Sequence, residues 1–310
     1  MKFGIQTGPQ GVEWRDLRAA WELTERLGFD SAWTFDHLVP LLIGHEEPVL
    51  EGWTLLAALA EQTERLTIGC LVSSNTFRHP VVLAKMATTV DIISEGRLVL
   101  GLGAGYYEIE HTAYGIPFGT QSSRADGLAE ACQIVKALFR GGPVSFDGEH
   151  YRLAEAPFAP LPVQEGGPPI MIGGRGEKYT FPIIARYADQ WNLAGGSTAE
   201  DFEQKWAALR ARCEEVGRDA AEIETNMGLL TFVDRSSARA HERARACARH
   251  FGLDEELAPT IFVAGDPPEV VETIRGLEAV GVQHYVMTVV HGLNYDDIDL
   301  FAREVVSSWR

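Results

Sequence analysis

Pro169-Ile170-Met171-Ile172-Gly173-Gly174-Arg175-Gly176-Glu177-Lys178 reads as an apolar strand that ends in glycines and turns into a helix. The strand does not alternate between apolar and polar residues, so both faces must be covered, as in a parallel sheet flanked by helices. The same unit recurs on either side. Strand candidates are Phe3–Thr7, Ser31–Phe35, Leu66–Val72, Leu98–Gly103, Pro169–Gly173, Asp189–Leu193, Thr225–Val233 and His284–Val290, with helical stretches between them. Eight such alternations favour an α/β fold of the closed (β/α)8 TIM-barrel type, with insertions, over an open doubly wound sheet. Thr7-Gly8-Pro9-Gln10 follows the first strand where a Rossmann fold would carry GxGxxG, which weakens that alternative.

The 310 residues leave room for one barrel of about 250 residues plus insertions, so residues 1–310 are read as a single domain. From Ser197 to Val216, Phe202, Trp206, Leu209, Cys213 and Val216 share one helical stripe. Ser197 and Glu200 form a capping box there, and Gly217 supplies the stop. Near the C-terminus Asp266 caps, Pro267 and Pro268 fit the first turn, and Glu269 completes a box. Val270, Ile274, Leu277 and Val280 face inward, and Gly281 ends the helix. Two stretches exceed what barrel loops need: Val39 to Glu51 and Pro143 to Pro168. In the second, Val144 to Leu153 predicts a small hairpin turning at Asp147-Gly148.

A net charge of −17 argues against nucleic acid or an anionic membrane as partner, and it requires that any anionic ligand be held by local charges. No run approaches the roughly 20 apolar residues of a membrane span, and Met1 to Gln6 lack a signal peptide's apolar region. The expectation is a soluble, cytoplasmic protein. Cys70, Cys132, Cys213 and Cys247 form no CxxC and are read as reduced, mostly buried thiols.

Barrel active sites lie at the C-terminal ends of the strands. That rule selects Gln6 and Thr7, Asp36 and His37, Val72 to Thr76, Ala104 to His111, Gly173 to Lys178, Trp191 and Asn192, and Val290 to Gly292. A histidine at position 37 exchanges a proton near neutral pH, its unperturbed pKa being about 6.5, and the adjacent Asp36 could raise that value or fix the tautomer. A structural histidine bonded to a loop carbonyl is the other reading. Gln6-Thr7 stands where a metal hydrolase would want an HxH, so no metal is expected. The glycines of 173–176 let backbone N–H groups approach a phosphate at a helix N-terminus, with Arg175 and Lys178 adding charge; glycines at a tight turn also serve structure alone. Small residues from Gly101 to Gly105 let a flat ring or its side chain lie against the backbone. Glu108, Glu110 and His111 follow near the mouth, the last two read as loop anchors. Trp191, Tyr106, Tyr107 and the loop after His37 point to a partly aromatic pocket.

Taken in order, these pieces resemble the bacterial-luciferase-like superfamily, and within it the F420-dependent oxidoreductases. The matching stretches are Trp33 to His37, Glu51 to Ala60, Leu71 to Pro80, Gly96 to Gly105, Glu110-His111, Ala113-Tyr114-Gly115, Pro169 to Gly174 and Ala188 to Asn192. The resemblance implies a luciferase-like barrel and a deazaflavin lying across the strand ends. It places a non-prolyl cis peptide at Leu71-Val72 behind the ring and His37 as the residue that handles the proton. Asp36, Ser74 and Thr76 would touch the ring or its side chain, and Ala104 and Gly105 would line that chain. Gly173, Gly174, Arg175 and Gly176 would hold the phosphate, with Lys178, Lys85 and Arg78 as further charges for the anionic tail. Gln6, Tyr106, Glu108, Trp191 and Asn192 are left for the substrate. The sugar-phosphate dehydrogenases of the family carry a catalytic glutamate where this chain has Tyr106, so neither that acid nor that substrate is transferred.

The leading reading is an F420-dependent oxidoreductase acting on a small organic substrate. An FMN-dependent luciferase-like monooxygenase using O2 and reduced flavin is the alternative, and a non-catalytic cofactor-binding barrel is the third. A homodimer and a separate reductase supplying reduced cofactor are implied by the resemblance alone.

Overall fold

The computed structural model describes residues 1–41, 44–195, 198–289 and 295–310. The strands are β1 (Lys2–Thr7), β2 (Ser31–Thr34), β3 (Thr67–Cys70), β4 (Ser73–Ser74), β5 (Leu100–Gly103), β6 (Val144–Asp147), β7 (Arg152–Ala156), β8 (Ile170–Gly173), β9 (Gln190–Ala194), β10 (Glu224–Val233), β11 (Val263–Gly265) and β12 (His284–Val289). The helices are α1 (Trp14–Arg26), α2 (Gly52–Glu61), α3 (Pro80–Ile93), α4 (Glu108–Tyr114), α5 (Gln121–Phe139), α6 (Phe181–Tyr187), α7 (Ala199–Glu215), α8 (Ser237–His250), α9 (Ala258–Ile261), α10 (Pro267–Ala279) and α11 (Tyr295–Leu300).

Nine parallel strands run in the order β3-β2-β1-β12-β10-β9-β8-β5-β4. They fill eight positions, because β3 and β4 are halves of one interrupted third strand. Ring closure comes from β4 pairing with β5 and from a bridge between Ile68 and Leu98. All eight strand candidates fall on these positions; Val290 lies outside the described residues.

Alternation along each strand sorts side chains into two cores. Trp33, Leu71, Val99, Met171 and Val286 pack together inside the ring. Their strand neighbours, including Ile5, Ile68, Leu100, Ile172, Leu193, Met227 and Tyr285, pack outward against the helices. Trp33 fits inside only because Gly4 and Gly69 yield space: a Cβ on Gly69 would come within 2.8 Å of the indole ring.

The local signals needed four corrections. The first cap lies elsewhere: α7 begins at Ala199 and is capped by Thr198, which accepts from the Asp201 N–H, while Ser197 lies outside the described residues. Val216, expected on the inward stripe, is exposed just past the helix end. The box of Asp266 and Glu269 is present on α10 as read. The hairpin β6–β7 also forms, but not through a two-residue Asp-Gly turn. Its tip spans 148–151, and Glu130 of α5 accepts the N–H groups of Glu149, His150 and Tyr151 at 2.7, 3.0 and 3.0 Å. Finally, β11 pairs with the end of β10 outside the ring, a strand too short to show a periodicity. Cys70, Cys132 and Cys213 are buried and Cys247 is half-buried, all four as free thiols. No helix among the described residues is long and apolar enough to cross a membrane.

Two predictions concern stability. Gly127 sits inside α5, where glycine costs about 1 kcal/mol relative to alanine. An added Cβ would meet nothing closer than Asn75 Nδ2 at 3.6 Å. Gly127→Ala is expected to stabilise the protein by about 1 kcal/mol in urea unfolding; a destabilised variant would show that the helix needs the missing side chain. At the N-terminal end of the barrel, Glu224 bonds Lys2 Nζ at 2.8 Å and lies 3.6 Å from His284 Nδ1; His284 Nε2 in turn meets Ser31 Oγ at 2.8 Å. The nearby His284 imidazole, aided by Lys2 and opposed by burial, pulls the Glu224 carboxyl from 4.5 down to about 2. A depressed acid contributes stability that is complete above its unfolded value and is lost as pH falls toward its folded value. Glu224→Gln should therefore flatten the stability-versus-pH curve between 4.5 and about 2, removing about 1 to 2 kcal/mol of acid dependence once solvent screening of this partly exposed pair is allowed for.

Candidate functional site

The interruption of the third strand shapes the floor of the barrel mouth. The Leu71–Val72 peptide bond is cis, as the resemblance implied. Gln6 of β1 donates from Nε2 to the Leu71 carbonyl at 3.0 Å and accepts from Thr288 Oγ1 of β12 at 2.9 Å. Glycines of β5 and β8 make room for the interruption. A Cβ on Gly101 would lie 2.0 Å from the Cys70 carbonyl oxygen, and one on Gly103 or Gly173 would lie 2.9 or 2.8 Å from Val72 Cγ2. The space that the sequence reading gave to a ring at Gly101 and Gly103 is thus filled by the chain itself.

Asp36 and His37 follow β2 and point to different partners. Asp36 is buried and accepts both Arg78 guanidinium donors, at 2.6 and 2.9 Å, and the Ser74 N–H at 3.1 Å. Burial holds its carboxyl above the ordinary value against the pull of Arg78. Arg78 also bonds Glu51, the N-cap of α2, whose Thr54 and Trp53 N–H bonds and Arg78 partner outweigh burial and hold it below the ordinary value. The expectation that Asp36 acts on its neighbour fails because both its oxygens face Arg78.

His37 instead meets Glu110 of α4, with Nδ1 2.9 Å from Oε1. The other Glu110 oxygen accepts the Leu38 N–H at 2.8 Å. Phe35, Tyr106 and Tyr107 stand edge-on to the imidazole, with centroids 5.4, 5.6 and 6.1 Å away. The next residue of α4, His111, is buried and ties Thr76 Oγ1, at 2.6 Å, to the Tyr107 carbonyl, at 2.8 Å; Thr76 continues to Ser74 Oγ at 2.7 Å. Glu110 and His111 do anchor the loop, and Glu110 in addition holds the histidine. Sequence reading missed that second role. The available signal was the phase of α4, which aligns Tyr107, Glu110, His111 and Tyr114 on one face.

The turn after β8 presents backbone donors. The Gly174 N–H is taken by the Asn192 carbonyl at 3.1 Å, and Thr180 and Phe181 donate back to the Gly176 carbonyl. The N–H groups of Arg175, Gly176, Glu177 and Lys178 donate to no acceptor among the described residues. Gly174 has φ +152° and Gly105 has φ +80°; a Cβ on Gly105 would strike Ser74 Oγ at 2.8 Å and Thr76 Oγ1 at 2.9 Å. The side-chain charges are less free than expected. Arg175 bonds Asp201 at 2.7 Å and the Gly195 carbonyl at 3.0 Å, and Lys178 lies over the Tyr179 ring. Arg78 and Lys85 are corrected outright as charges for an anionic tail: the first is held by Asp36 and Glu51, the second by the Ala159 carbonyl and the Phe158 ring.

The residues assigned to substrate divide. Tyr106 is 68% exposed at the mouth, Ala104 is half-buried beside it, and Glu108 is exposed in the first turn of α4. Trp191 is corrected: it faces outward from β9, wholly buried against Phe181, Phe202 and Trp206, and its Nε1 donates to the Gly174 carbonyl at 2.8 Å. Asn192 faces inward and donates from Nδ2 to Asn226 Oδ1 at 2.6 Å. The stretch 290–292 lies outside the described residues.

A closed parallel barrel with its polar groups, loose backbone donors and a tethered histidine at the C-terminal rim defines a TIM-barrel protein with its site in the usual place for that fold. The chain belongs to the luciferase-like monooxygenase family, whose profile matches residues 1–260. It is 29% identical to the F420-dependent glucose-6-phosphate dehydrogenase of Mycolicibacterium fortuitum, over 98% of this chain and 97% of that one. Its fold is similar to that of the F420-dependent tetrahydromethanopterin reductase from Methanopyrus kandleri, with a TM-score of 0.86 at 21% identity over 100% and 99% of the two chains. An F420-dependent secondary alcohol dehydrogenase, solved with an F420-acetone adduct, gives 0.88 at 19% identity over 99% and 98%.

The buried Asp36–Arg78 pair yields a prediction. Asp36→Asn leaves a buried guanidinium with only Glu51 for charge compensation, and should lower stability by about 3 kcal/mol in chemical denaturation. A loss below about 1 kcal/mol would mean that Glu51 alone suffices.

Proposed function

We propose that this chain is an F420-dependent oxidoreductase that moves a hydride between the deazaflavin and a small organic substrate. The observation that carries the reading is the turn after β8. Its four consecutive N–H groups, which meet no acceptor among the described residues, adjoin a strand whose last residue, Gly173, packs on Val72. Such a row of donors at the end of a barrel strand fits the phosphate of a flavin-type cofactor. The full-length relative named as an F420-dependent dehydrogenase favours the deazaflavin over FMN. When bound, F420 supplies or takes up the hydride.

The chain's own residues do the rest. The N–H groups of 175–178 bind the phosphate, with Arg175 beside them. Val72 and the small residues Ala104 and Gly105 leave a flat bed, and Ser74 and Thr76 stand under Gly105 within reach of the cofactor's side chain. His37 gives or takes the accompanying proton, an effect worth roughly 10²–10⁴-fold. Tyr106 occupies the position after the glycines of β5, so glucose 6-phosphate is not carried over from the relative; the substrate meets a tyrosine wall there. A homodimer and a separate reductase supplying reduced cofactor belong to the same reading.

The test is fluorescence titration with F420 and with FMN in matched buffer. F420 is expected to bind with a dissociation constant of about 1 μM or lower, roughly −8 kcal/mol, and more tightly than FMN. Gly176→Val, at a position without left-handed backbone, should weaken F420 at least tenfold. His37→Ala should leave affinity within threefold. Tighter FMN binding, with O2-dependent turnover of reduced FMN, would assign the chain to the monooxygenase reading that the family name favours.

A further inference from the structure

We propose that Glu110 is the positioning residue for His37: it keeps a proton on Nδ1 and leaves Nε2 as the nitrogen that exchanges protons at the mouth. The proposal rests on the reading of His37 given above, but the tautomer it assigns does not depend on the cofactor.

Glu110 is 1% exposed, and both its oxygens are committed, one to His37 Nδ1 at 2.9 Å and one to the Leu38 N–H at 2.8 Å. An ionised carboxylate only accepts, so the shared hydrogen belongs to Nδ1 whether the imidazole is neutral or charged. Proton exchange is therefore confined to Nε2. Other groups near the ring do not compete. Asp36 has both oxygens on Arg78; Tyr106 and Tyr107 approach edge-on; His45 meets the Tyr107 hydroxyl at 3.0 Å rather than His37. The edges of Phe35, Tyr106 and Tyr107 enclose the ring and oppose its rotation. Leu38 is held through both of its backbone polar groups, since its carbonyl accepts from Tyr114 Oη at 3.3 Å. Two residues of α4 thus fix the backbone next to the histidine while one of them fixes its ring. A second-sphere carboxylate that orients an imidazole in this way is worth a large factor in rate when its removal produces the wrong tautomer.

Glu110→Gln separates shape from charge. The glutamine carbonyl can still accept from Leu38, while its amide then donates to His37 Nδ1 and drives the imidazole hydrogen to Nε2. Long-range proton–nitrogen spectra of histidine-labelled protein, recorded without cofactor at a pH where imidazoles are neutral, read the tautomer directly; His37→Asn assigns the signal among the nine histidines. The wild type should show Nδ1–H and Glu110→Gln should show Nε2–H, with F420 affinity changed less than threefold. Glu110→Asp, which keeps an acceptor, should retain Nδ1–H, and it serves if the glutamine variant does not fold. An Nε2–H wild type, or the same tautomer in the wild type and Glu110→Gln, would overturn the proposal. Wild-type protein that fails to bind F420 would defeat the functional reading and leave the tautomer result standing.

Discussion

The mouth of this barrel depends on one steric fit: Val72 occupies volume that side chains at Gly103 and Gly173 would need. Three strands meet at that point, and the third can be interrupted there only because β5 beside it and β8 beyond β5 carry no Cβ at the contact. Interruption sends Ser73 and Ser74 back to pair with β5 and carries Asn75, Thr76 and Arg78 to the rim. From that excursion follow the Arg78 pair with Asp36, the Ser74–Thr76–His111 chain and the close seat of Gly105. A site built this way is held by packing first and hydrogen bonds second, since the polar groups sit where the interruption delivers them.

Polar groups at the rim are arranged so that each buried charge has a partner of its own. Arg78 answers Asp36 and Glu51, while Glu110 is reserved for His37 and the loop that begins at Leu38. Adjacent residues 36 and 37 consequently serve different ends, one structural and one chemical. This division also explains why the fold can bury a carboxylate beside the histidine without leaving an unpaired acceptor.

The architecture was legible because eight apolar runs with turn signals between them leave few topologies for a chain of this length. Facing was less legible. In a strand covered on both sides, apolar residues do not report which side they take, so Trp191 was assigned to the mouth although it packs under α6 and α7. The partner of His37 was hidden for another reason: it lies 73 residues away on a seven-residue helix, and only the phase of that helix brings it in. Neighbouring Asp36 looked equally suitable until the direction of its side chain was known. Charges at Arg78 and Lys85 were miscounted similarly, since sequence shows that a cation exists but not what neutralises it.

Glu130 gives the β6–β7 hairpin a property of a different kind. Three N–H groups at its tip converge on one carboxylate from α5, so the bend is enforced from outside the turn rather than by the residues that compose it. Side chains at Glu149 and His150 are then released from any conformational duty. Over evolutionary time, that tip is free to change its chemistry without disturbing the barrel, so divergence among descendants of this sequence should concentrate there while position 130 stays acidic.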